Sequence, residues 1–407
     1  MIVGAPIPIL YFSNEFERGG AEEHLLTLLR SLDRRHFRPL LACTPQMAAL
    51  LGKEVPEDVE VLPLCLRKPH HLSAAYRLTS ALRRRRVMIL HSHMFYASFF
   101  ASPVGRFAGV PVVIETPHVR ERWRRGWLKS SYLPDRFAAR FVNYFVAVSN
   151  SNAHYLIEEK KLPKQKIIVI RNGCDLHRFD PSHRAPAGMK TKLGFGESDP
   201  LLVVIGRLEP QKGHSVLLHA MPATLREIPN LRLVCVGEGS LKQPLATLTH
   251  NLGISGSVRF VGFQSNITDW LALADATVLP SFYEGLPLAA IESLAAGRPV
   301  IASHVDGTPE VVVNGVSGLT FAPGDIVALS SAMVRLLSDR QWLSALGRAG
   351  RQWVLRFFSK EQQVRETEAL YFYALKKRRV ALGRGTDRPR YGIDVEDIES
   401  RLGQLAA

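Results

Sequence analysis

The stretch Leu201-Leu202-Val203-Val204-Ile205-Gly206-Arg207-Leu208-Glu209-Pro210-Gln211-Lys212-Gly213 decides the fold of this 407-residue chain. Five apolar residues in a row run into a glycine, a short polar loop and then a helix-length stretch over 216–225. A strand that is apolar at every position is covered on both faces, as in a parallel sheet flanked by helices. The glycine at its end lets another backbone come close. Arg207 and Lys212, five residues apart on one loop, have the charge to hold a diphosphate; a solvated basic loop is the alternative.

The same unit recurs in both directions. Strands are expected at 7–12, 39–43, 87–91, 112–115, 144–148 and 167–170, then at 201–205, 231–236, 258–261, 276–279 and 300–302. Helices fit between them at 21–32, 72–82, 152–159, 216–225, 241–248, 267–273, 288–296 and 363–377. Two such series predict an α/β protein of two doubly wound, Rossmann-like domains facing across a cleft, with a C-terminal helix. The Pro- and Gly-rich stretch 181–200 marks the break, giving domains 1–185 and 186–375 and a loose basic tail over 376–407. In open sheets of this kind ligands bind beyond the carboxyl ends of the strands.

Composition narrows the classes. With 46% hydrophobic and 22% charged residues, 30 Gly, 25 Pro and 4 Cys, the chain is neither disordered, collagen-like nor a disulfide scaffold. The longest apolar run, 94–105, contains Pro103 and stops at Arg106, so no transmembrane helix is expected. No basic region precedes a long apolar stretch at the N-terminus, which argues against a signal peptide and for a cytoplasmic location. Cys43, Cys65, Cys174 and Cys235 form no CxxC pair and read as reduced structural thiols. The net charge of +15 is lopsided: residues 1–190 hold 29 Lys and Arg against 16 Asp and Glu. An anionic partner for that half follows: a membrane surface, a nucleic acid or an acidic substrate.

Further motifs sit where strands end. In Pro280-Ser281-Phe282-Tyr283-Glu284-Gly285-Leu286-Pro287-Leu288-Ala289-Ala290-Ile291-Glu292 a strand leads through a loop into a helix. Backbone N–H groups at that helix start favour a phosphate. Glu292, on an apolar helix, needs a partner that a ribose diol would supply, and Glu284 suits sugar hydroxyls; solvent-facing carboxylates are the alternative. Val236-Gly237-Glu238-Gly239 reads equally as a nucleotide-edge contact or an ordinary turn, and Gly262 after Val261 marks another strand-end turn. In the first half Gly19-Gly20 opens a helix and offers a backbone cradle for phosphate. His91 and His93 end one strand and His118 follows another, with His118 the strongest candidate for contacting a sugar or a departing phosphate. Three histidines also permit a metal, but no carboxylate stands at ligand spacing, and no metal site is assigned. No Asp-x-Asp triplet occurs, so Arg207, Lys212 and helix N-termini are expected to carry the diphosphate without Mg²⁺ or Mn²⁺, and no cofactor is called for.

With these residues in place, the chain resembles the retaining glycosyltransferases of family 4, which have the GT-B fold. The likeness spans roughly 7–375 and rests on Gly19-Gly20-Ala21-Glu22, the His91/His93 strand end, His118, the segments 148–151, 172–175, 206–213 and 236–239, Glu284 with Glu292, and 307–312. It implies transfer of a sugar from a nucleotide diphosphate donor, a UDP-sugar or GDP-mannose, with anomeric configuration kept. It further implies that Arg207 and Lys212 bind the diphosphate and Glu292 the ribose. Glu284, Gly285 and Leu286 would border the sugar, Gly20 would touch phosphate, and His118 would face the reacting centre. Pro117 and Cys174 are minor departures. Residues 119–140 are unusual, with seven basic residues against two acids and Trp123, Trp127 and Tyr132 among them. Such a segment suits an anionic membrane surface, while a solvated loop or acceptor wall is the alternative. With the basic cluster 83–86 it points to a peripheral enzyme with a glycan or lipid-linked acceptor, as in lipopolysaccharide or exopolysaccharide assembly. Sugar-nucleotide 2-epimerases share the two-domain architecture and remain the alternative; the linked Arg207/Lys212 and Glu284/Glu292 pattern favours transfer. A nucleic-acid-binding protein would use the basic half, yet no reading module is present.

Overall fold

The computed structural model describes residues 5–17, 19–66, 71–121, 131–380, 397–398 and 400–402. The chain forms two compact units, Met1–Asn172 with Lys360–Ala407, and Gly173–Ser359.

The first unit is built on seven parallel strands: β1 (Ile7–Ser13), β2 (Phe37–Cys43), β3 (Glu60–Pro63), β4 (Ile89–His93), β5 (Val112–Thr116), β6 (Tyr144–Ala147) and β7 (Ile167–Val169). Their order is β3-β2-β1-β4-β5-β6-β7. Helices α1 (Gly20–Ser31), α2 (Leu72–Arg84) and α3 (Phe95–Phe107) connect them. The unbroken apolar run of β1 feeds two cores. Ile9 and Tyr11 join Leu25, Leu28 and Leu29 of α1 on one face. Leu10 and Phe12 join Leu78 and Leu82 of α2 on the other. Period-two alternation is hidden in the sequence because both faces are buried.

The second unit repeats the plan with six strands: β8 (Leu201–Ile205), β9 (Arg232–Val236), β10 (Val258–Gly262), β11 (Ala276–Leu279), β12 (Val300–Ser303) and β13 (Gly318–Phe321), in the order β10-β9-β8-β11-β12-β13. Leu202 and Val204 pack with Leu217 and Met221 of α4 (His214–Glu227). Leu201 and Val203 pack with Trp270 and Ala274 on the opposite face. In both sheets the first strand lies between its own second and fourth partners, so the strand order reverses beside β1 and beside β8. The helices leave to opposite faces there and open a crevice beyond the strand ends.

Two expectations need correction. The unit boundary falls after Asn172, ahead of the 185/186 break, and the C-terminal helix α5 (Lys360–Lys377) belongs to the first unit. Leu370, Tyr371, Ala374 and Leu375 lie in the same core as Ile9 and Tyr11, which is why the helix returns there. The tail is not uniformly loose either: Ile398 and Leu402 are buried in that core. Of 381–407, all but 397–398 and 400–402 lie outside the described residues. Among the described residues no helix is long and apolar enough to cross a membrane. All four cysteines are free, as expected.

Candidate functional site

The loops over 206–213 and 280–287 leave the carboxyl ends of β8 and β11, the adjacent strands where the second sheet reverses. Backbone and side-chain bonds zip them together. The Phe282 N–H donates to the Gln211 carbonyl at 2.8 Å. Gln211 Nε2 donates to the Tyr283 carbonyl at 2.9 Å. Gly213 sits at φ +64°, and a Cβ there would overlap the Pro280 carbonyl oxygen, so only glycine lets the two loops meet.

At that meeting point Lys212 Nζ donates to Glu284 Oε1 at 2.6 Å. Ser281 Oγ donates to the same oxygen at 2.7 Å. The Glu284 N–H donates to Asp306 Oδ2 at 2.9 Å. Glu284 is buried and Lys212 half-buried, so the pair is a shielded charge contact with its carboxylate held by two side-chain donors. His214, two residues on, is buried, and burial with the neighbouring Lys212 charge holds its imidazole down to about 4. Arg207 and Glu292 are half-buried on the same two strand-to-helix segments, Glu292 within α6 (Leu288–Ala295). Gly285 and Leu286 are buried in the connecting loop.

The Val236–Gly239 turn is tightly packed against the neighbouring strand ends. Gly237 has φ +146°, a Cβ on it would overlap the Gly206 carbonyl, and its N–H donates to Gly262 at 2.8 Å. Glu238 is exposed and pairs with Lys242 at 3.0 Å. Sequence reasoning passed over Ser281, Gln211 and Asp306. Ser281 stood in the quoted loop, whereas Asp306, non-glycine at φ +41°, gave no local signal beyond preceding the 307–312 motif.

In the first unit the crevice beside β1 and β4 collects imidazoles. β4 runs through His93, so His91 and His93 share a face, with ring centroids 4.6 Å apart. His93 Nδ1 lies 3.0 Å from His118 Nε2. His24 of α1, not singled out from sequence, stands edge-on to His118 at 4.8 Å. His24 Nδ1 bonds to Asn172 Oδ1 at 2.8 Å and lies 3.0 Å from Gln363 Nε2. His91 is committed elsewhere, bonding Tyr371 OH at 2.6 Å and Thr116 Oγ1 at 2.7 Å. Burial keeps these rings neutral: His24 is held down to about 4, and His91, His93 and His118 well below the usual range.

Gly19 caps α1, and its N–H donates to Glu22 Oε2 at 2.9 Å. That amide is therefore engaged within its own helix, and the expected glycine cradle rests on Gly20. The middle of the basic segment, 122–130, lies outside the described residues. Its flanks are anchored, because Glu121 and Asp135 both meet the fully buried Lys160, at 2.9 and 2.6 Å.

Comparison with known proteins agrees with this organisation. Residues 188–353 match the family described as Glycosyl transferases group 1, and residues 18–178 match Glycosyltransferase Family 4. A glycogen synthase of Mycobacterium tuberculosis is 31% identical over 300 residues, covering 72% of this chain and 70% of the relative. A D-inositol 3-phosphate glycosyltransferase of Frankia alni is 33% identical over 285 residues, covering 65% and 69%. An Escherichia coli UDP-Gal:alpha-D-GlcNAc-diphosphoundecaprenol alpha-1,3-galactosyltransferase is 28% identical over 306 residues, covering 74% and 78%. Among solved structures, a glycosyltransferase of Rickettsia africae superposes with a TM-score of 0.78 at 21% identity, covering 91% of this chain and 99% of that one. Anabaena HepE, crystallised with UDP-glucose, gives 0.74 at 19% identity, covering 90% and 99%. Two half-chain matches in series, over two sheets of one strand order, leave a single conclusion: the chain belongs to glycosyltransferase family 4 and has the GT-B fold.

Proposed function

We propose that the chain transfers a hexose, with retention, from a UDP-sugar or GDP-mannose to a glycan or lipid-linked acceptor of a cell-surface polysaccharide, without a metal ion. The observation that carries this reading is the joining of the 206–213 and 280–287 loops through Lys212 and Glu284 where the second sheet reverses. That is where doubly wound sheets hold nucleotides. Lys212 and Arg207 would neutralise the diphosphate, Glu292 would accept from the ribose, and Glu284, positioned by Ser281, would accept from the transferred sugar. His118 is kept neutral by burial and can donate or accept one hydrogen bond at the sugar. The transition state resembles an oxocarbenium ion parting from a phosphate, so preset cations on the departing oxygen supply the main catalytic term.

A peripheral position on the cytoplasmic membrane face fits the basic first half. Leu72 and Tyr76 of α2 are each 74% exposed, and its last turn carries Arg83 and Arg84. The test is a thermal-shift screen of UDP, GDP and their common sugars in excess EDTA. One base should raise the melting temperature at concentrations far above its Kd. Glu292→Ala should weaken that shift, whereas His118→Ala should leave it and lower kcat at least tenfold. No shift with any nucleotide, or a shift that needs Mn²⁺, rejects the reading.

A further inference from the structure

We propose that His24, His93 and His118 form a binding site for one transition-metal dication, Zn²⁺ foremost, which holds the first unit's crevice closed to chemistry. One ring nitrogen from each of the three lies within 4.8 Å of the others, and all three residues are buried. They come from separate rigid elements: α1, the carboxyl end of β4, and the residue pair past β5. His93 Nδ1 and His118 Nε2 are already 3.0 Å apart. Tetrahedral zinc with bonds of 2.0–2.1 Å sets its nitrogens about 3.3 Å from one another, so the His93–His118 pair stands near the required spacing and His24 must turn in to complete the set.

The chemistry of the donors fits. Their burial keeps the imidazoles neutral, with a lone pair each. His24 Nδ1 faces both Asn172 Oδ1 at 2.8 Å and Gln363 Nε2 at 3.0 Å; in the tautomer that donates Nδ1–H to Asn172, the Nε2 lone pair is left for metal, and that outer bond is the kind which orients ligating histidines. His93 Nε2 is buried and has no hydrogen-bond partner among the described residues, so it can take up the proton that ligation displaces from Nδ1. Three imidazoles and no carboxylate favour Zn²⁺ over Mg²⁺ or Ca²⁺, and a water completes the tetrahedron. His91, bonded on both ring nitrogens, stays out. The loss of activity on loading rests on the role of His118 proposed above; metal binding itself does not.

The experiment is equilibrium dialysis of the EDTA-stripped full chain against Zn²⁺, with zinc X-ray absorption on the loaded protein. The expected result is one tightly held zinc per chain with imidazole nitrogens in its shell. His93→Gln should lose that zinc, and His24→Gln should bind it at least tenfold more weakly. Folding of both variants is checked by circular dichroism, and if either fails to fold the absorption spectrum of the unaltered chain decides. No tightly held zinc, a shell with fewer than two imidazoles, or binding unchanged in folded variants overturns the site. Failure of the nucleotide screen with zinc still bound would separate the two readings.

Discussion

At the residue scale, the first unit places four neutral histidines in one buried cluster. An imidazole held neutral to about pH 4 in the fold, as His24 is, titrates near 6.5 once unfolded. The unfolded chain therefore binds more protons between those values, and stability falls as pH drops through that window. Each such ring contributes a slope of up to about 1.4 kcal/mol per pH unit, or about 3 kcal/mol for His24 across the window. The denaturation midpoint should accordingly decline steeply from pH 7 to pH 5, and His93→Gln should lessen the slope by about one proton. A flat profile would mean the rings are not held neutral. His91, His93 and His118 were legible as strand-end histidines, but the part of His24 was not, because it sits 69 residues before His93 and only the sheet's winding joins them. The Lys212–Glu284 contact shows the opposite: both residues were visible beforehand, since each stood at the end of an apolar run.

At the scale of elements, what could be read was what is buried on both faces. The interior strands β1, β8 and β11 announce themselves as largely apolar runs, and β4 and β5 by the apolar residues at or just before their starts. The edge strands β3 and β13 did not; in β3 no residue is fully buried. The terminal helix α5 was foreseen as a helix but assigned to the wrong unit, because periodicity reports a buried face and not what buries it. Its Tyr371 hydroxyl lies 2.8 Å from Tyr11 OH and meets His91 as well. Tyr371→Phe should cost about 1–3 kcal/mol in chemical denaturation, the penalty for leaving buried partners unmet. Ending the chain at Ser359 removes several core side chains worth about 2–5 kcal/mol each, enough to unfold the first unit while the second keeps its own transition. A truncated chain that melts like the full one would contradict the packing described.

At the scale of the whole molecule, the charge of +15 resides almost wholly in the first 190 residues. That excess is what the proposed anionic membrane surface would attract. Flotation with vesicles containing anionic lipid should recover the chain at low salt, and recovery should fall sharply at high salt, because each basic residue near such a surface contributes about 1 kcal/mol that ions screen. Equal recovery with neutral vesicles would remove the membrane from the account. Two-unit architecture was legible because the strand–helix rhythm restarts at Leu201, but the true seam was not, since the chain crosses it twice.

That double crossing has a consequence during synthesis. The segment that completes the first unit's core is made after Gly173–Ser359. Until α5 arrives, α1 covers Ile9 and Tyr11 only in part, and the core that Leu370, Tyr371, Ala374 and Leu375 complete stays open. The second unit is free to fold first, reversing the usual order in which nascent domains mature.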